Sequence, residues 1–202
     1  MTAKVLISSD GVTRCSWPGN NSLYIKYHDE EWGFPEGEDV KIFEKISLEG
    51  FQSGLSWITI LKKRQYFREA FFNFDLEIVS NFGEREIKKL LCNENIVRHE
   101  GKIRSVVNNA QRALMLIESE GSLKHYFYSE PEFTPLDETE SFISSKTEKS
   151  EAISKDLKKR GWTWLGPTTI YSFMQAMGVV NDHHRLCDLR KIVEIQREKF
   201  FH

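Results

Sequence analysis

The sequence predicts an all-α fold, on three observations. Residues 102–118 carry Ile103, Val106, Val107, Ala110, Ala113, Leu114 and Ile117, apolar positions recurring at three- and four-residue spacing along one helical face. Helix-stopping and helix-starting residues stand where such runs begin and end: Asp39 and Asp75 ahead of two, Gly161 behind another, Pro167 at the first turn of the last. The alternation of a half-buried strand is missing, save for a short apolar piece at Val5 to Ile7.

Taken in order, Asp39 reads as the cap of a helix from Val40, with Ile42, Phe43 and Ile46 at helical spacing. Gly50 and Gly54 loosen this run before Trp57, Ile58, Ile60 and Leu61 resume it. Asp75 caps Leu76 to Val79, and Glu84 to Cys92 sets Ile87, Leu90 and Leu91 on one face, with Cys92 read as a core thiol. The helix of residues 102–118 follows, and Pro131 and Pro135 mark a loop. Glu148 to Arg160 is a further helix, basic in its last turn where the helix dipole favours cations. Gly166-Pro167 opens the last strong helix, which runs through Tyr171, Phe173 and Met174 to Met177-Gly178. No linker or repeat interrupts the chain. We expect one unit over residues 1–202: an N-terminal extension (1–13), a helical region able to form two lobes (14–188) and a charged tail (189–202).

With 202 residues, 40% hydrophobic and 29% charged, the chain has the make-up of a soluble globular protein with a substantial core. It holds no apolar run of about 18 residues and no secretory leader pattern, so no membrane partner and a cytoplasmic address are expected. Three cysteines do not form a disulfide framework. A net charge of -2 and a pI near 6.3 count against a protein that lives by bulk phosphate neutralisation. A few phosphates held by helix N-termini remain compatible with that charge.

Cys15 and His28, separated by twelve residues, and His183 and Cys187, one helical turn apart, are candidate metal ligands. Two thiols and two imidazoles make the donor set of a closed tetrahedral Zn²⁺ site, one ion per chain. Such an ion would tie the two ends of the chain together and, lacking an open position, would be structural. The plainer reading has two core thiols and two surface histidines.

Glu49 follows Ile42 and Ile46 on the same helical face, so a carboxylate sits among isoleucines. It is either a buried functional group or the frayed end of a helix bent into water by Gly50. In Gly54-Leu55-Ser56 an apolar side chain stands on a turn, either a core plug or a wedge for DNA base steps. Trp17, Tyr24, Tyr27 and Trp32 gather around the first ligand pair, with Trp57 further along. They make a core cluster or, with the carboxylate, a pocket for a flat cationic ring. Residues 95–103, Asn-Ile-Val-Arg-His-Glu-Gly-Lys-Ile, lie between two amphipathic segments and suit a helix-hairpin-helix, or a plain αα-hairpin.

Five blocks in order carry a family resemblance. They are Cys15-x-Trp17; Leu23-Tyr24-x-x-Tyr27-His28-Asp29-x-Glu31-Trp32-Gly33; and Glu49-Gly50-x-Gln52-x-Gly54-Leu55-Ser56-Trp57. The others are Ile96-Val97-Arg98-His99 with Lys102-Ile103, and Gly166-Pro167-Thr168-Thr169 through to Asn181-Asp182-His183. Together they resemble the 3-methyladenine-DNA glycosylase I family of the helix-hairpin-helix DNA glycosylase superfamily, over nearly the whole chain.

The resemblance implies that superfamily's helical fold and monofunctional release of 3-methyladenine from alkylated double-stranded DNA, leaving an abasic site. It assigns zinc to Cys15, His28, His183 and Cys187. The catalytic role falls to Glu49, base contacts to Tyr24, Tyr27, Trp57 and Trp17, and DNA contact to Gly54, Leu55, Arg98, His99 and Lys102. Asn95 stands where the family often has glycine, and a left-handed conformation is expected there. A monomer suffices for this chemistry. The alternative is an inactive relative that binds damaged DNA or modified bases without cutting.

Overall fold

The computed structural model describes residues 5–129 and 145–202. The Pro131 and Pro135 loop expected from the sequence lies outside the described residues. The fold is mostly helical, as expected, with two short strands among the described residues: β1 (Val5–Ile7) and β2 (Thr13–Cys15). The helices are α1 (Ser22–Glu30), α2 (Asp39–Gln52), α3 (Trp57–Ala70), α4 (Leu76–Ser80), α5 (Glu84–Cys92) and α6 (Glu100–Glu120). They continue as α7 (Leu123–Tyr128), α8 (Glu148–Lys159), α9 (Pro167–Ala176) and α10 (Leu189–Phe201). No helix among the described residues is long and apolar enough to cross a membrane. The chain divides into two compact units: Met1–Glu36 with Phe127–Ser145 and Met174–His202, and Gly37–Tyr126 with Lys146–Phe173.

In the second unit α2 packs on α3 and α6, α4 and α5 pack on α6, and α6 is the spine. Its buried face, Ile103, Val106, Val107, Ala110, Ala113 and Leu116, is the stripe read from the sequence. Asp75 caps α4 by accepting from the Ile78 amide at 2.9 Å. Gly50 does not break α2, which runs on through Phe51 to Gln52. Phe51, Phe67, Phe71 and Phe74 make a ring-to-ring cluster, with Phe51 and Phe67 centroids 4.5 Å apart. Cys92 is exposed and is not the core thiol expected, because it is the last residue of α5, beyond the face that buries Ile87 and Leu90.

In the first unit β1 and β2 pair antiparallel with Val5 opposite Cys15, so part of the N-terminal extension is a strand that fixes a candidate ligand. The C-terminal residues, read as a charged tail, form α10. Three of its charges, Arg190, Glu194 and Arg197, turn inward: Arg197 is fully buried and donates to Gly178 O at 2.7 Å and Val179 O at 3.0 Å. Arg197 also grips both oxygens of Glu194, at 2.9 and 2.8 Å, while Asn181 donates to Glu194 at 2.7 Å. A guanidinium thus satisfies carbonyls just past the end of α9 that would otherwise be orphaned. Charge counting from sequence cannot distinguish such a buried network from a solvated tail.

Gly178, at φ +66, lets two segments of this unit touch: a Cβ there would sit 2.4 Å from Gly33 O. Neither the conformation nor the backbone contact tolerates a side chain. Gly178→Ala should cost more than about 2 kcal/mol, read as a lower urea midpoint at unchanged slope; an unchanged midpoint would remove this contact from the account.

Candidate functional site

In the first unit, Cys15 ends β2, His28 lies in the last turn of α1, and His183 and Cys187 precede α10. All four are buried, and their ligand atoms lie within 4.8 Å of one another, a group that could hold a metal ion. Cys15 Sγ is 3.8 Å from His183 Nδ1, and Cys187 Sγ is 3.5 Å from His183 Nδ1 and 3.6 Å from His28 Nε2. Tetrahedral Zn–S and Zn–N bonds would set sulfur and nitrogen about 3.6 Å apart. The donors therefore fit such an ion.

The outer nitrogens of both rings are already committed. His28 Nδ1 lies 2.7 Å from Asp29 Oδ1, and His183 Nε2 lies 3.0 Å from Trp32 O. Each acceptor draws the ring proton outward, leaving the inner nitrogen's lone pair for the metal. Asp29 is itself gripped by Arg14, whose Nε lies 3.0 and 2.9 Å from its two oxygens. Burial alone would raise the Asp29 pKa, but the hydrogen bonds from Arg14 and His28 hold it below the usual carboxylate range. Of the two thiols, Cys187 is held low, first by Cys15 and then by His183 and His28, while Cys15 is pushed up by the same pairing and by burial.

The aromatic residues pack onto this group. Asn21 caps α1 by accepting from the Tyr24 amide at 3.0 Å, and the helix then sets Tyr24, Tyr27 and His28 one turn apart. Trp17 lies among them, with ring centroids 4.8 Å from Tyr24, 6.3 Å from Tyr27, 5.2 Å from His28 and 5.1 Å from Trp32. Tyr27 is buried. A metal at the four ligands would fix both the helix that bears the tyrosines and the indole that touches them.

In the second unit Glu49 is buried at 4% exposure, which decides against the frayed-end reading. Lys45, one turn earlier on α2, meets Glu49 Oε1 at 3.1 Å, and its Nζ sits 3.5 Å over the Trp57 ring. Burial pushes the Glu49 carboxyl above its ordinary range, and the Lys45 charge and hydrogen bond pull against that rise. Glu49 also borders a cavity of about 250 Å³ with Gln52, Ser53, Gly54 and Leu55 on one side. Thr168, Thr169 and Ser172 of α9 form the other side. Leu55 is exposed at 42%, on a turn where Gly54 has φ +79, so it is no core plug.

Residues 93–99 join α5 to α6 as an αα-hairpin. Lys63 of α3 donates to Glu94 O at 3.3 Å and Asn95 O at 2.9 Å, and His99 caps α6 by accepting from the Lys102 amide at 3.3 Å. Arg98 and His99 face solvent. Lys102 does not: it is buried, with its ammonium donating to Phe51 O at 2.9 Å and to Ser53 O. Burial lowers its pKa. Asn95 is not left-handed; among the described residues the non-glycine positions with positive φ are Phe72, Asn73, Phe74 and Trp164. With its carbonyl held by Lys63, the turn closes without that conformation.

The model of the methyladenine glycosylase family matches residues 17–191. The chain belongs to that family. It is 44% identical over 179 residues to the DNA-3-methyladenine glycosylase of Haemophilus influenzae, covering 87% of this chain and 96% of that protein. It is 44% identical over 174 residues to DNA-3-methyladenine glycosylase 1 of Escherichia coli, covering 84% and 92%. A crystal structure of a 3-methyladenine DNA glycosylase I superposes with a TM-score of 0.80 at 43% identity, covering 87% of this chain and 98% of that one. A structure of the Staphylococcus aureus enzyme, described as giving the basis of its 3-methyladenine recognition, superposes at 0.82 with 32% identity, covering 88% and 96%.

Within this family member the structure gathers Cys15, His28, His183 and Cys187 with Trp17, Tyr24 and Tyr27 in one unit. Glu49, Trp57, Gly54, Leu55 and the hairpin lie in the other. Sequence reasoning missed Asp29, Arg14 and Lys45. Asp29 adjoins a candidate ligand, and Lys45 precedes Glu49 by one helical turn, a spacing that signals a pair.

Proposed function

We propose that this chain is a monomeric, cytoplasmic DNA-3-methyladenine glycosylase that extrudes the damaged nucleotide from duplex DNA and hydrolyses its N-glycosidic bond. The observation that carries this reading is the buried Glu49 carboxylate at a cavity, in a chain whose relatives from Haemophilus influenzae and Escherichia coli bear that activity by name. Methylation at N3 leaves the purine positively charged, and a carboxylate in a desolvated site favours such a ring over neutral adenine. Water adds to C1′ of the deoxyribose as the bond to N9 breaks; the electron pair returns to the purine, which leaves neutral, and the water gives up a proton. No group need protonate the base. Selectivity then comes in large part from the charge and labile bond of the substrate itself.

We assign Glu49 to the adenine edge and to the positive charge that spreads over base and sugar in the transition state. Trp57, Tyr27, Tyr24 and Trp17 are the aromatic base contacts. Leu55 is the wedge that fills the gap left by the extruded nucleotide, and Gly54 permits its turn. Backbone amides at the start of α6, with Arg98 and His99, hold a phosphate in helix-hairpin-helix fashion. Lys102, buried with its ammonium on the carbonyls of Phe51 and Ser53, holds the segment that leads into the wedge. Cys15, His28, His183 and Cys187 hold one structural Zn²⁺, which supplies rigidity and no chemistry because four protein donors fill its shell.

Chromatography of bases liberated from methylated duplex DNA tests the proposal. Free 3-methyladenine should appear with time, in proportion to enzyme. Tight binding of the same DNA with no base released would instead make the chain a damage reader without turnover.

A further inference from the structure

We propose that Lys45 is a positioning residue of the reaction: a tethered cation that keeps the buried Glu49 carboxylate ionised and aimed before a substrate arrives. The inference rests on the assignment of Glu49 to the base and deepens it. Three observations carry it. Lys45 is itself 11% exposed at its side chain and lies 3.1 Å from a carboxylate at 4%. Its ammonium also lies 3.5 Å over the face of Trp57, a residue assigned to base contact. And i, i+4 spacing within one unbroken helix sets the two side chains on the same face one turn apart, so α2 itself holds their Cα positions in register.

Taking two charges out of water is costly, and an ion pair like this one is a weak source of stability compared with apolar packing. Its use here is electrostatic. A carboxylate buried alone would protonate and become a neutral acid, with little to offer a cationic purine. Lys45 supplies, in the empty enzyme, the positive charge that the methylated base supplies in the complex. The indole face beneath the ammonium steadies it through a cation–π contact.

The surroundings offer no substitute. Gln52, Ser53, Thr168, Thr169 and Ser172 border the cavity with Glu49, and none of them titrates near neutrality. On α2 itself Glu44 is paired with Arg68 of α3 at 2.8 Å. Lys102, from α6, is committed to Phe51 O and Ser53 O. Among the described residues, Lys45 is the charged group acting on Glu49.

The test is the pH profile of single-turnover base release from methylated duplex DNA. Wild type should lose activity on the acid side as Glu49 takes a proton. In Lys45→Met, and in Lys45→Gln should the first variant fold poorly, that acid limb should move to higher pH by about one unit or more, the size of an opposite-charge effect on a carboxylate. Lys45→Arg should return it toward the wild-type position. A purely structural lysine would lower thermal stability and leave the limb where it was. An unmoved limb in both neutral variants, or an arginine variant no different from methionine, overturns the inference. Glu49→Gln separates the two levels. If it retains full activity, the assignment of Glu49 itself fails; if it is inactive while the Lys45 limb stays put, only the role of Lys45 fails.

Discussion

Cys187→Ser is expected to strip the chain of bound zinc and to lower its thermal midpoint by about 10 °C, while base release by the folded fraction persists at low temperature. The four donors come from β2, α1 and the segment before α10, so the ion would cross-link residues as far apart as Cys15 and Cys187. Two thiolates would balance the charge of a divalent ion there, so the loaded centre would be neutral overall and less costly to bury than an unbalanced one. Serine keeps the size but offers a hydroxyl that does not ionise near neutral pH, leaving the metal short of a ligand and the charge unbalanced. In a chain of this size each 1 kcal/mol shifts the midpoint by about 2–4 °C, and losing a structural metal costs at least about 3 kcal/mol. Elemental analysis should give about one zinc per wild-type chain, by the four-donor logic. Asp29→Asn should weaken zinc retention about 10- to 100-fold without touching a ligand, because Asp29 sets the tautomer of His28. Wild-type protein that folds with no metal, and a Cys187→Ser midpoint equal to it, would reduce the cluster to two thiols and two histidines in a core.

How much of this was legible beforehand follows from the kind of signal each residue leaves. The stripe of α6 and the cap of α4 repeat at the period of the structure they build, and both were readable. The four ligands were readable as a chemical set although 168 positions separate Cys15 from His183 in the chain. Glu49 was readable only as a choice between burial and exposure, since α2 either continues past Gly50 or bends there, and the sequence permits both. The helix continues, and the carboxylate is buried.

What was illegible depends on partners distant in sequence. Nothing in Leu189 to His202 announces that Arg197 reaches the carbonyls of Gly178 and Val179. A helix rich in Arg, Lys and Glu ordinarily turns those charges to water. Lys102 posed the same difficulty: a lysine in a hairpin suggests a phosphate, but its ammonium is spent on two backbone carbonyls. Lys45 was missed for the opposite reason. Its spacing from Glu49 was visible, but i, i+4 pairs are common on solvated faces, and only burial turns this one into part of the site.

Glu49→Gln should lower the rate of 3-methyladenine release by about 10²-fold or more, equivalent to about 2.7 kcal/mol of transition-state stabilisation. Glutamine keeps the shape and one acceptor oxygen but removes the charge, so a loss of this size reports electrostatics rather than packing. The substitution also leaves the Lys45 ammonium with its carboxylate partner gone, at 11% exposure, and the variant should therefore be less stable than wild type. Low activity from a poorly folded variant and low activity from a missing charge then have to be told apart. Lys45→Met combined with Glu49→Gln does so, because the double variant has no orphaned charge left in the site. Its midpoint should recover relative to Glu49→Gln alone, a coupling expected of residues in direct contact, while its rate should not recover at all. If stability and rate rise together in the double variant, the carboxylate serves the fold and not the substrate. If they part company, the negative charge at the cavity acts on the departing base.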